Sequence, residues 1–419
     1  MANNGATAAV TANPPVGPQQ QKKVIAFRFA TLERTSPLPN VVTALSYVTA
    51  GTQPNPFQIQ ADGLIYDLIL DVASSAGDDQ TTNAVYFEDA PYSILDSIGL
   101  KDPSSDLIST MGGFNLYLAN LLQGNYRNTV VEASSLTSVN GETLGNPFAH
   151  ASVAGGTALA YGSGLHNQGD LAGNFRFLLH VPVALNMKTL AGVLGNQNRA
   201  VVYTVSLNVA AGTGSTTGPV FTTAPAGGTS PTLTITPTYR SFTVPDATNA
   251  AGIQQQQLPS NYGTLHLLQA NSNPSAPTTG SVTHYVTNLG TTTRSLTFVL
   301  RSVNNTGLAS RNNSELATPT NIQLYWGSTA QFNESWSVRR AIMFERFGFH
   351  FPVGVISYDN ISDGLVGAGM ETGASYINTQ ALTNARFVAN YPTVGNQWAA
   401  GSTLTQIMDS LKVVQPQAA

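Results

Sequence analysis

Six histidines, His150, His166, His180, His266, His284 and His350, are the side chains best suited to proton transfer or metal binding near neutral pH. Their spacing supports neither. No HExxH and no HxH pair occurs, so no two histidines share a helix turn or a strand face as a metal would require. Each is expected to be solvated or satisfied in a core. Cysteine is absent, which removes disulfides, thiolate metal sites and thiol nucleophiles together. No P-loop and no GxSxG elbow is present. "GAGMETG" (Gly367 to Gly373) and "GTGSTTG" (Gly212 to Gly218) depart from GxGxxG and read as turns. "YDNISDG" gathers Asp359, Asn360 and Asp363, which could face a hard cation, but it lacks EF-hand spacing and is better read as an Asx turn. No catalytic constellation, no cofactor and no metal is implied, and the chain is not expected to be an enzyme.

Two basic clusters remain. "SWSVRRAIMFERF" places Trp336 beside Arg339 and Arg340, a combination suited to a subunit contact as well as to a solvated helix face. Lys22 and Lys23 end an N-terminal arm that contains no acid, which reads as a mobile or partner-ordered extension. The net charge of −4 offers no basic surface for phosphates, so direct nucleic-acid binding is not expected.

The elements that must position these residues are mostly strands. Charged residues are only 10% of the 419-residue chain, and Gly, Pro, Thr and Asn fill the gap. That composition suits β structure with long loops, and the length suits two domains of roughly 200 residues. In "LIYDLILDV", Leu64, Tyr66, Leu68, Leu70 and Val72 alternate with Asp67 and Asp71, which predicts one buried and one solvated face. "VIAFRFATL", "NFRFLLHVPVAL", "AVVYTVSLNV", "TLTITPTYRSFTV", "GTLHLLQ", "SVTHYVTN", "RSLTFVLRSV", "NIQLYWG", "FHFPVGVISYDN" and "NARFVANY" also read as strands. Short helices are expected over "GGFNLYLANLLQG", over 186–196 with Asn186 as N-cap, over 333–347 with Asn333 as N-cap and Gly348 as stop, and over 404–414 from Leu404, Ile407 and Leu411. "KDPSSD" reads as a turn. Gly- and Thr-rich excursions cover 152–173, 210–231 and 304–320. The segments "RFLLHVPV" and "RFGFHFPV" share letters, but the first lies within a strand and the second straddles a helix end, so the echo is read as accidental. The N-terminus lacks the features of a secretory signal, and no apolar run of about 18 residues occurs. Tandem sandwiches or jelly rolls fit this pattern better than a parallel α/β fold, which would need a helix after most strands.

The order of these features resembles the double jelly-roll major capsid proteins of tectiviruses, the tailless icosahedral phages with an internal membrane. The residues that carry the resemblance are "WSVRRAI", then "FPVGVISYDN" and "TNARFVANY", with "LIYDLILDV", the Asp102–Pro103 turn, "HVPVALNMKTLAGVLGN" and "QQQLPSNYG" in matching order. The likeness spans roughly 24–392, and the chain departs from it in the tail after Tyr391 and in its loops. It implies a mainly β fold of two tandem eight-stranded jelly rolls, with a short helix inserted late in each half. The boundaries expected are an arm over 1–23, a first jelly roll over 24–245, a connection over 246–261, a second jelly roll over 262–398, and a C-terminal helix and tail over 399–419. It further implies homotrimers with a pseudo-hexagonal outline, tiled with neighbouring trimers into an icosahedral shell around a membrane and a double-stranded DNA genome. Minor capsid, vertex and membrane proteins would complete the partners, and the arm with Lys22 and Lys23 would touch neighbouring subunits or the internal lipid. The protein would be made in the host cytoplasm and reside in the virion. A shell held off its DNA by a membrane has little use for counterion release, in keeping with the two-lysine arm. The alternative from a different class is a β-sandwich adhesin or carbohydrate-binding surface protein, which the sparse charge and Thr/Asn/Gly-rich loops allow.

Overall fold

The structure, a computed structural model, describes residues 24–39, 41–44, 56–59, 62–75, 85–86, 89–123, 150–151, 159–160, 175–187, 189–196, 202–210, 221–223, 232–273, 275–303, 309–311, 317–347, 351–360, 375–382, 384–393, 398 and 401–413. Lys22, Lys23, His166, Gly348, His350 and Asp363 lie outside them, as do the arm and most of the excursions 152–173 and 210–231.

Eight principal strands build the first half: β1 Glu33–Pro37, β2 Phe57–Ile59, β3 Gly63–Ser75, β4 Leu95–Lys101, β5 Leu107–Met111, β6 Phe175–Pro182, β7 Tyr203–Val209 and β8 Thr232–Phe242. They form two antiparallel sheets, in the orders β1-β8-β3-β6 and β2-β7-β4-β5. Eight more build the second: β9 Thr264–Ser272, β10 Gly280–Tyr285, β11 Thr292–Val303, β12 Asn321–Trp326, β13 Thr329–Glu334, β14 Val355–Asp359, β15 Ala385–Tyr391 and β16 Thr403–Val413. Their orders are β9-β16-β11-β14 and β10-β15-β12-β13. Both halves are jelly rolls, and adding eight to each strand number of the first reproduces the second. Short strand pairs in the connections complete the β structure.

Period-2 patterning explains the cores. In β7 Tyr203, Val205, Leu207 and Val209 are buried while the residues between them are half-buried, and β8 alternates in the same way. The inward sets of both halves join one hydrophobic cluster.

Among the described residues three α-helices are present: α1 Phe27–Ala30, α2 Gly113–Leu122 and α3 Trp336–Phe347. The latter two each follow the fifth strand of their half. α2 is apolar nearly all round and buries nine of its ten residues. α3 buries Trp336, Arg339, Met343 and Phe347, which form one helical stripe. Its N-cap is Ser335, whose Oγ accepts from Val338 N at 3.3 Å, rather than Asn333, which belongs to β13.

Four expectations are corrected. The first concerns 404–414, which is not a helix: β16 pairs with β9 on one side and β11 on the other, so the second jelly roll runs to Val413 instead of closing at 398. Residues from Leu404 to Ser410 are buried without interruption, so this strand is covered on both faces and lacks the alternation that would have identified it. Second, 186–196 is a turn followed by a short strand, Leu194–Asn196. Asn186 does accept from Thr189 N at 2.8 Å, but Leu190 (φ 50) and Gly192 (φ 93) take left-handed conformations that end any helix there.

Third, β3 does not keep one apolar face. A bulge opposite Arg240 and Ser241 flips the alternation, so Leu68, Leu70 and Val72 enter the main core with Ile65, while Leu64 and Tyr66 turn to the outer face. There they meet Phe27, Leu190, Val193 and Phe242 in a second small core. Asp67, expected to be solvated, is only 8% exposed beneath this cover. Fourth, "VIAFRFATL" forms the single turn α1 in place of a strand with Ile25, Phe27 and Phe29 aligned. Phe27 packs edge-on against Phe242 at 6.0 Å, whereas Phe29 is 86% exposed.

The turn over "KDPSSD" forms as expected, with Asp102 Oδ1 accepting from Ser104 N and Asp106 N, both at 2.8 Å. The echo separates as expected too: Phe175–Pro182 is strand, whereas Arg346 and Phe347 end α3. Within 246–261, Ile25 N donates to Gln254 O at 3.0 Å and Gln256 N to Ile25 O at 2.9 Å, which ties the connection to the start of the first half.

Candidate functional site

α3 carries the predicted contact residues, and the structure places them on its inner side. Trp336 is 2% exposed and Arg339 9%. Arg339 Nη2 lies 2.5 Å from Glu334 Oε1, and its guanidinium sits over the Phe332 ring at 4.1 Å. Burial lowers the Arg339 pKa from its ordinary value, with Glu334 opposing the shift. Arg340 is half-buried and its Nη2 donates to Phe351 O at 2.8 Å. Outward, α3 exposes three large apolar side chains, Val338, Ile342 and Phe344, at 48%, 38% and 43%, beside Ser337, Ala341 and Glu345. An amphipathic helix that seats a tryptophan and an arginine inside and exposes aliphatic and aromatic carbon outside has surface suited to a further partner.

α2 is the counterpart in the first half, and it is already covered. Its Asn120, fully buried, closes the free edge of β6: Nδ2 donates to His180 O and Oδ1 accepts from His180 N, both at 2.7 Å. The amide thereby acts as a one-residue strand on an edge that would otherwise present unpaired groups. The helix also meets the second half. Arg301 of β11 lies 5.9 Å from the Phe114 ring and reaches Asp89 Oδ2 at 2.5 Å across the join between halves. The join is completed by a parallel pairing of β5 with β9, in which Leu268 lies opposite Ser109 and Gln269 opposite Thr110. The 184–193 turn closes over it. A Cβ on Gly192 would stand 2.5 Å from Val183 O and 2.6 Å from His266 Cβ, so only glycine permits this approach.

Beneath that turn three neighbouring strands contribute charges. Asp409 of β16 accepts from Arg294 Nη1 of β11 at 2.5 Å and lies 2.8 Å from His266 Nε2 of β9. Burial by itself would raise the Asp409 carboxyl, but Arg294 and His266 outweigh it and hold it well below the usual carboxylate range. With Arg294 and His266 inaccessible, no substrate could reach this group. It is a structural ion network.

The other described histidine side chains are also engaged. His180 Nδ1 is 2.9 Å from Asp67 Oδ2, which Arg240 Nη1 approaches at 3.5 Å. His284 Nδ1 donates to Ser275 O at 2.9 Å, leaving Nε2 to accept from the Tyr391 hydroxyl at 2.8 Å. Burial lowers the His284 pKa to about 4. Asp359 accepts from Arg346 Nε at 2.6 Å and Asn360 Nδ2 donates to Thr293 O at 3.1 Å, so this part of "YDNISDG" is occupied by protein partners. Among the described residues, no group of three or more His, Asp or Glu side chains is placed to hold a metal ion.

Asn120 and the seam residues Asp89 and Arg301 escaped sequence reasoning, because the partner of each lies far away in the chain.

No protein-family model matches the sequence, and no curated protein matches it either. Solved structures do match. The crystal structure of the major capsid protein of STIV aligns with a TM-score of 0.51 at 16% identity, covering 90% of this chain and 97% of that one. A chain from the atomic structure of Sulfolobus Turreted Icosahedral Virus aligns with a TM-score of 0.54 at 13% identity, covering 91% of each. The crystal structure of PBCV-1 VP54, fitted into a reconstruction of the virophage Sputnik, aligns with a TM-score of 0.57 at 12% identity, covering 91% of this chain and 93% of that one. The fold shared over these lengths is the double jelly roll.

Proposed function

We propose that this chain is the major capsid protein of an icosahedral virus, a structural subunit whose function is self-assembly. One observation carries the reading: a single eight-strand order occurs twice, each time with a helix after the fifth strand. The same fold spans 90% of this chain and 97% of the STIV major capsid protein. The described interior polar groups are engaged with one another within and across the halves, and none forms a reactive constellation, which favours a structural role over catalysis.

In this reading three copies form a capsomer of pseudo-hexagonal outline, and capsomers tile a shell in the virion after synthesis in the host cytoplasm. The shell encloses a membrane and a double-stranded DNA genome. Minor capsid and vertex proteins join it, and the arm with Lys22 and Lys23 meets the lipid or a neighbouring subunit. The halves divide at the 246–261 connection. Mass photometry of the purified protein tests the core of this. Three chains of 44.0 kDa should give a particle of about 132 kDa that persists across salt and dilution. A monomer under every condition would count against a shell subunit.

A further inference from the structure

The repeat of eight also relates surfaces. Within the chain, the edge strand β5 pairs with the edge strand β9, and α2, which follows β5, is covered in part by the second half. Adding eight takes β5 to β13 and α2 to α3. The counterpart of β9 in the first half is β1. Among the described residues β13 and β1 are both sheet edges, each paired on one side only. α3 follows β13 and keeps Val338, Ile342 and Phe344 exposed where α2 has nothing comparable.

We propose that β13 and α3 of one copy dock against β1 of a second copy of this chain, repeating between copies the join made once within each. The inference rests on the shell-subunit reading above and deepens it by naming the surface. The receiving edge is open in the required sense. Leu32 O accepts from Thr243 N and Leu38 N donates to Pro237 O, so even-numbered residues bond inward to β8. Glu33 and Thr35 therefore turn their backbone groups outward. Leu32 and Phe29, just before β1, are 70% and 86% exposed and supply apolar surface beside that edge. The contact is heterologous, since a second-half surface meets a first-half surface, and such contacts close into rings when the rotation allows. The occupant is a second copy because the chain already holds, inside itself, the partner that this surface fits.

The test compares the wild-type protein with Val338→Asp/Ile342→Asp by mass photometry, with circular dichroism and thermal unfolding as controls of folding. The wild type is expected at the trimer mass, and the double variant is expected to lose at least nine-tenths of that particle to monomer with its spectrum unchanged. A variant that remains trimeric would overturn the inference and leave the shell reading standing. A wild-type protein that is monomeric throughout would overturn both. Should the aspartates prevent folding, the absence of native cysteine permits a second route. Thr35→Cys/Ala330→Cys, treated with a short bismaleimide, is expected to give covalent dimers and trimers on a denaturing gel, and a trimeric protein yielding only monomer bands would reject the docking surface.

Discussion

His284 has its protonation opposed by the fold. Burial lowers its pKa to about 4, against an ordinary value near 6.5, and both ring nitrogens are bonded in the neutral form. A depressed histidine contributes stability that is complete above the unfolded value and is lost as pH falls from about 6.5 through 4. The full span is worth about 3 kcal/mol. Urea unfolding at pH 7 and at pH 4.5 should show this loss in the wild type, and His284→Gln should flatten the difference while lowering stability at pH 7. An unchanged pH slope in the variant would rule out His284 as the source. Asp409 presents the opposite case, a carboxylate kept ionised inside the sheet by Arg294 and His266. Asp409→Asn strips a buried guanidinium of its carboxylate and should cost about 3–5 kcal/mol in denaturant unfolding. Adding Arg294→Met should recover part of that loss, because an apolar side chain tolerates the site that a stranded charge does not. His266 and His284 were visible in the sequence only as solvated or core-satisfied residues, and Arg294 was not singled out; their partners come from other strands and could not be paired from spacing.

Among the elements, α2 closes an edge of the first half, and the Asp89–Arg301 pair beside it crosses to the second. Asn120→Ala should leave His180 N and O without their amide partner at a buried edge, costing roughly 2–3 kcal/mol and increasing aggregation on storage. Arg301→Ala should cost about 3 kcal/mol by leaving Asp89 buried without the guanidinium, and protease digestion should then cut more readily between the halves. Calorimetry and limited proteolysis of the two variants check both outcomes. Strands whose one face is buried, such as β7 and β8, were legible from alternation alone. The misreadings have physical causes. β16 is covered on both faces, so its apolar positions happened to fall at helical spacing. β3 changes face at a bulge, which a period-2 pattern cannot register. At 186–196 the cap residue was right but left-handed turns at Leu190 and Gly192 ended the element after one turn. α3 was placed from its end signals, and of the residues expected at a subunit contact, Trp336, Arg339 and Arg340, the first two are buried within the chain.

At the scale of the whole molecule, the repeated order of strands was legible as two β halves and as a resemblance, because strand and turn signals recur along the chain in sequence. The seam was not, since its pairs lie far apart: Ser109 with Leu268, Asp89 with Arg301, Gly192 beside His266. That seam matters for assembly, because among the described residues it leaves β1 and β13 each paired on one side only. A cryo-EM reconstruction of the purified oligomer tests the central claim most directly. We expect three chains in a closed ring of six upright jelly rolls, first and second halves alternating, with β13 and α3 of each chain against β1 of the next. A closed trimer whose chains meet through other surfaces would contradict the docking scheme, and a particle with no ring of jelly rolls would contradict the capsid reading itself.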